Sequence, residues 1–275
     1  MNSQPILAFI GVGNMARAII GGLISNGYPA DKIWASEPDI TGLADLAEQG
    51  LQTTSDNNLA VAAADLVVLA VKPQVLKTVA LHIAPAVQKH KPLIVSIAAG
   101  IMAPSIDKWL GGDIAIVRCM PNTPALVQTG ASGLYANNQV TTAQRLQAET
   151  VMQATGITIW VDEESQLDAV TAISGSGPAY YFLVMESMIA AGKNLGLSEE
   201  TATQLTLQTA LGAAKMALSS DVEPDELRRR VTSPKGTTEQ AILRFIDGGL
   251  PELFDTAMKA CNDRSVELAE ELGKD

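Results

Sequence analysis

Two hydrophobic rhythms succeed one another along this chain. Up to about residue 161, short unbroken apolar runs alternate with stretches of helical spacing. The runs at residues 6–10, 32–36, 51–54, 65–71, 93–97, 114–118 and 156–161 predict strands. Those at 6–10 and 65–71 carry almost no polar residue, as strands buried on both faces of a parallel sheet do. Between them, sets such as Ala18, Ile19, Leu23 and Ile24 recur at a helical period. Alternation of this kind predicts a doubly wound α/β domain, with its strand-end motifs at one end of one parallel sheet.

From Glu163 the helical period takes over. Helices are expected at 165–195, 198–218, 224–231, 238–247 and 251–272. Ser198 is the cap of the second, and Thr237 or Thr238 the cap of the fourth. The first is interrupted by Ser174-Gly175-Ser176-Gly177-Pro178, either a helix junction or a place of close backbone approach. The expected organisation is therefore a Rossmann-type dinucleotide-binding domain over 1–162 and an all-α dimerisation and substrate domain over 163–275.

Composition narrows the picture. At 275 residues and 47% hydrophobic the chain can bury a large core, and at 4% aromatic that core must be aliphatic. A formal charge of −11 argues against nucleic acid, whose phosphates call for a basic surface. Cys119 and Cys261 lie far apart, without CxxC or Cys/His neighbours. No disulfide or metal site is expected, and a reducing compartment is. With no leader-like N-terminus and no run of ~20 apolar residues, a cytoplasmic protein without a membrane span is expected.

The chemistry starts at Gly11-Val12-Gly13-Asn14-Met15-Ala16, which follows the first strand and opens a helix. That context turns a weak glycine pattern into a dinucleotide fingerprint: a tight turn at Gly11, and close approach of the pyrophosphate at Gly13. Glu37 ends the second strand, where an acid suits the ribose of NAD; no Lys or Arg follows closely. Asn57 follows the third strand and is placed to reach the adenosine end. Lys72-Pro73, Ala98-Ala99-Gly100 and the rigid Met120-Pro121-Asn122-Thr123-Pro124 loop come at further strand ends, where ligands bind in such folds. His82 and His90, in a polar helix, are expected to be surface residues. The loop Ser233-Pro234-Lys235-Gly236-Thr237-Thr238-Glu239 joins a serine and two threonines to a helix start, a place for a small carboxylate or an ordinary capped helix.

FIGVGNMA, AVKPQ, SIAAG, RCMPNTPA, DAVTAISGSGPAY, LGAAKM and SPKGTTEQAI occur in this order. As an ordered set they resemble the pyrroline-5-carboxylate reductases over nearly the whole chain. The resemblance implies a Rossmann domain followed by a helical domain that makes a homodimer or a larger assembly. It implies reduction of 1-pyrroline-5-carboxylate to L-proline by NADPH or NADH. Gly11, Val12, Gly13, Asn14 and Met15 would hold the pyrophosphate, and Ser36, Glu37 and Asn57 would face the adenosine ribose. Ala70, Val71, Lys72, Pro73, Ala98 and Ala99 would flank the nicotinamide side. Ser233, Gly236, Thr237 and Thr238 would hold the substrate, with Glu164 near it and Thr238 as the catalytic residue that orients the ring nitrogen. Lys235 stands where the family commonly has glycine, and Glu37 where NADPH users tend to carry a small polar residue. Two rivals remain at this point. A β-hydroxyacid dehydrogenase would need a Lys with Asn four residues on, whereas Lys193 and Asn194 are adjacent. A non-catalytic dinucleotide sensor would not need the Ser233–Thr238 loop.

Overall fold

The computed structural model describes residues 4–273. They form two compact units. One runs to Ser176 and resumes at Cys261; the other is Gly177–Ala260. The sheet-bearing part ends at Trp160, but the first unit continues past Asp162 to Ser176.

The first unit holds β1 (Leu7–Ile10), α1 (Asn14–Ser25), β2 (Ile33–Ser36), α2 (Ala44–Glu48), β3 (Gln52–Thr54), α3 (Asn57–Ala63), β4 (Leu66–Leu69) and α4 (Pro73–His90). It continues with β5 (Leu93–Ser96), α5 (Ala103–Trp109), β6 (Ile116–Met120), β7 (Gly130–Ala136), α6 (Thr142–Gln153), β8 (Gly156–Trp160) and α7 (Gln166–Val170). The eight strands make one sheet in the order β3-β2-β1-β4-β5-β6-β7-β8. Alternate residues of each central strand feed two cores. Leu7, Phe9, Val68 and Val95 meet Ile19, Ile20, Val151 and Met152 of α1 and α6. Ala8, Ile10, Val67 and Ile94 meet Leu76, Ile83 and Ile106 of α4 and α5. A central strand covered on both faces has no polar side, hence the unbroken apolar runs. The chain order reverses across β1, with β2 on one side and β4 on the other, which makes this the switch point where such sheets bind ligands.

The expectation of one parallel sheet needs correction. β7 pairs antiparallel to β6, and β8 runs parallel to β7, so these two strands point opposite to the other six. The β6–β7 connection is only a short loop with a 3₁₀ turn, Thr123–Val127. A parallel crossover needs about a dozen residues or more, usually with a helix. α6 supplies such a crossover between β7 and β8.

α7 leads into one π-helical turn, Thr171–Gly175, and then α8 (Gly177–Asn194). The Ser174 carbonyl would bond the N–H four residues on, but that residue is Pro178, which has none. Asn122 Nδ2 donates to this carbonyl instead, at 3.0 Å, while Asn122 Oδ1 accepts from Ala131 N–H at 2.9 Å. One buried side chain thus ties the β6–β7 loop to β7 and to the helix junction.

The second unit contains most of α8, then α9 (Glu199–Leu218), α10 (Pro224–Arg230), α11 (Thr237–Asp247) and the start of α12 (Leu250–Gly273). Ser198 caps α9 by accepting from Thr201 N–H at 3.1 Å. Among the described residues of this unit only Gly177, Ala202 and Thr206 are buried, whereas Tyr181, Phe182, Leu183, Leu211, Phe245 and Leu253 are exposed. The final part of α12 belongs to the first unit, where Ser265 Oγ donates to Asp168 at 2.6 Å and Leu268 and Leu272 lie against Gly100.

Candidate active site

At the switch point β1 turns sharply. Gly11 has φ +87°, and a Cβ there would stand 2.7 Å from Val71 Cγ1 and 2.9 Å from the Val71 nitrogen. Only glycine lets the end of β1 lie so close to Ala70 and Val71, the segment leaving β4. Gly13 is the N-cap of α1 and meets no side-chain cap; a Cβ there would project into open space. Gly13 and Asn14 are exposed, and no acidic residue lies in the first turn of α1. A twelve-residue helix therefore presents uncapped N–H groups to a clear approach, which fits a pyrophosphate.

The carboxyl ends of β1 and β2 are joined by contacts that spacing does not reveal. Glu37, half-buried, accepts through Oε2 from the Val12 N–H at 2.7 Å. Its other oxygen accepts no hydrogen bond from the described residues. Ser36 is buried and donates to Asn57 Oδ1 at 2.6 Å. The structure thus gathers the glycine turn, Ser36, Glu37 and Asn57 at the carboxyl ends of β1 and β2. No motif in the sequence marks Arg17 on α1. Its guanidinium reaches the segment after β2 and donates to both Asp45 oxygens, at 2.6 and 3.2 Å, and to the Gly42 carbonyl. Arg17 holds the Asp45 carboxyl below the ordinary carboxylate range. No local signal pairs residues 28 apart, so this contact is a product of helix packing.

On the far side of the switch point, Lys72 is the N-cap of α4 and Pro73 its first residue. Ala98 is buried and Ala99 exposed in the loop after β5. Glu164 is in the first unit and is already engaged. Its Oε1 accepts from Arg118 at 2.9 Å and from the Ala103 N–H at 2.6 Å, and only 11% of either charged side chain is exposed. Burial raises the neighbouring Tyr135 hydroxyl pKa, Glu164 and Glu163 add to the rise, and Arg118 opposes it. Arg118 closes an apolar run, and a charge in that place is the local sign of a buried partner.

Ser233, Gly236, Thr237 and Thr238 fall together in the second unit. The expected threonine cap is corrected: α11 starts at Thr237 with Gly236 as N-cap and no side-chain cap bond. The N-cap position falls on Gly236, which has no side chain to cap with, and Glu239 Oε2 reaches back to accept from Lys235 N–H at 2.7 Å. Thr237 and Thr238 are left exposed in the first turn, beside uncapped N–H groups. Lys235 takes φ +61°, a left-handed conformation that a side chain disfavours. His82 and His90 are exposed, His82 facing Asn58 at 3.1 Å. Cys119 is buried, and burial pushes its thiol up to about 12. No group of His, Cys, Asp or Glu among the described residues could hold a metal ion, and no helix there is long and apolar enough to cross a membrane.

Comparison with known proteins settles the family. A pyrroline-5-carboxylate reductase of Pseudomonas aeruginosa is 58% identical over 99% of this chain and all of its own. This chain belongs to the pyrroline-5-carboxylate reductase family. The family's dimerisation model matches residues 164–268, and a model described as NADP oxidoreductase, coenzyme F420-dependent, matches 6–100. The reductase of Vibrio alginolyticus is 42% identical over 95% of this chain and 97% of its own. Among solved structures, the reductase of Coxiella burnetii superposes with a TM-score of 0.94 at 47% identity, covering 97% of this chain and 99% of its own. That of Plasmodium falciparum, with NADP bound, reaches 0.85 at 28% identity, covering 96% and 98%. As a pyrroline-5-carboxylate reductase, the chain is an oxidoreductase acting on a cyclic imine.

Proposed function

We propose that this chain reduces 1-pyrroline-5-carboxylate with NADPH or NADH in the cytoplasmic synthesis of proline. The observation that carries the site assignment is the glycine turn at the β1/β4 switch point, with open space over Gly13 and an uncapped α1 behind it. Bound there, the dinucleotide supplies the hydride. The Gly11–Met15 turn holds its pyrophosphate through the N–H groups at the start of α1, Glu37 and Asn57 face its adenosine ribose with Ser36 fixing Asn57 from beneath, and Ala70–Pro73 with Ala98 and Ala99 flank its nicotinamide end.

The Ser233–Thr238 loop binds the substrate. Its uncapped helix start suits the carboxylate, and exposed hydroxyls at Thr237 and Thr238 suit the ring nitrogen. A protonated imine accepts hydride readily, so placement matters more than acid strength, and Thr238 acts by orienting the nitrogen. Glu164 contributes from its buried pair with Arg118, holding Ala103 and β6 in place. The working form is a homodimer or an assembly of dimers. The apolar surface of Tyr181, Phe182, Leu211 and Phe245 supports this reading, as does the family's dimerisation match.

The deciding assay follows NAD(P)H oxidation by the purified protein with and without 1-pyrroline-5-carboxylate, and the appearance of proline. Consumption that needs the imine and matches proline formed is expected. Binding of dinucleotide without turnover would instead favour a sensor.

A further inference from the structure

We propose that Glu37 selects the coenzyme and selects NADH, a reading that rests on Gly11–Met15 being the dinucleotide site. Three observations converge. The Glu37 carboxylate is not a loose surface group: the Val12 N–H holds it at 2.7 Å, at the carboxyl end of β2. Its remaining oxygen is available to accept from ribose hydroxyls. A residue at this place reads the 2′ position of the ribose.

Two groups that could welcome a 2′-phosphate are committed elsewhere, which leaves the neutral Asn57 amide as a donor. Ser36 spends its only proton on Asn57. Arg17, the cation that reaches the segment after β2, is neutralised by Asp45 and also donates to the Gly42 carbonyl. A 2′-phosphate would therefore meet a fixed carboxylate while Asp45 holds the Arg17 guanidinium, and like charges in a partly dry site repel strongly. The Val12 bond adds a second consequence. The group that reads the sugar also braces the turn that holds the pyrophosphate, so Glu37 arrives already positioned and loses little freedom on binding.

The test measures binding as well as turnover. Dissociation constants for NADH, NADPH, 5′-AMP and adenosine 2′,5′-bisphosphate are obtained by calorimetry on the intact protein and on Glu37→Gln and Glu37→Ser. Glutamine keeps an acceptor for Val12 N–H and removes only the charge. The wild type should bind each 2′-hydroxyl ligand at least tenfold more tightly than its 2′-phosphorylated counterpart. Both variants should shift that ratio toward the phosphate by about tenfold or more, which is ~1.4 kcal/mol. Equal or tighter binding of the phosphorylated pair by the wild type overturns the proposal, as does a ratio that neither variant moves. Failure of all four ligands to bind would mean that the glycine turn is not the dinucleotide site, a different result from binding without preference.

Discussion

Lys235 shows how one residue can sit against its own backbone preference. Its φ of +61° costs a side chain about 1 kcal/mol or more relative to glycine. The conformation persists because Glu239 holds the Lys235 N–H and the N-cap of α11, Gly236, follows it. Lys235→Gly should therefore raise stability, by up to about 1 kcal/mol, the gain being trimmed by the greater freedom of glycine in the unfolded chain. Urea denaturation checks this; a variant less stable than wild type would mean that the Lys235 side chain contributes more than its backbone costs. Thr238 carries the sharper functional expectation. Thr238→Ala should leave dinucleotide binding intact and cut kcat/KM for the imine by roughly tenfold to a hundredfold, the worth of one hydrogen bond to a charged group at about 1.5–3 kcal/mol. Unchanged turnover would remove Thr238 from the site.

At the scale of elements, the junction between α7 and α8 depends on a donor from outside the helix. Pro178 leaves the Ser174 carbonyl without its helical partner, and Asn122 replaces it. Asn122→Asp keeps the acceptor for Ala131 N–H but loses the donor and sets a carboxylate against a carbonyl. It should destabilise by about 1–3 kcal/mol in urea melts. Pro178→Ala restores an N–H to the helix, so the same substitution should cost less in that background. Additive effects of the two changes would rule out this account of the junction. The Ser174–Pro178 interruption was visible in the sequence, and so was the rigid loop around Asn122. That the two were partners was not, because 52 residues separate them and nothing local couples them. β7 escaped for a related reason. Gly130–Ala136 is built largely of small residues, so it lacks the β-branched run that marks a strand, and its pairing with β6 comes from the short loop before it.

For the whole molecule the question is what covers the helices of the second unit. Burying only Gly177, Ala202 and Thr206, these helices lack a core that could hold them alone. If a second copy supplies it, folding and association are one event, and the melting temperature rises with protein concentration. Sedimentation and circular dichroism over a dilution series should show mass and helicity falling together. A folded, active monomer at low concentration would contradict the dimer.

Local pattern determined a good deal of this protein. Apolar runs marked the central strands because a doubly covered strand has no polar side. The glycine turn, the helical second half and the Ser233–Thr238 loop were legible because each is a contiguous segment whose chemistry depends on its neighbours in the chain. Tertiary structure alone decided the rest: the reversed β7 and β8, Glu37 on the Val12 N–H, Arg17 on Asp45, Asn122 on Ser174 and Glu164 on Arg118. In each side-chain pair a polar or charged group meets its partner across 25 residues or more. Which partner it meets is settled by how helices and strands pack, which limits what each group can reach; for the Asn122, Glu164 and Arg118 side chains, which are buried or nearly so, pairing is also obligatory.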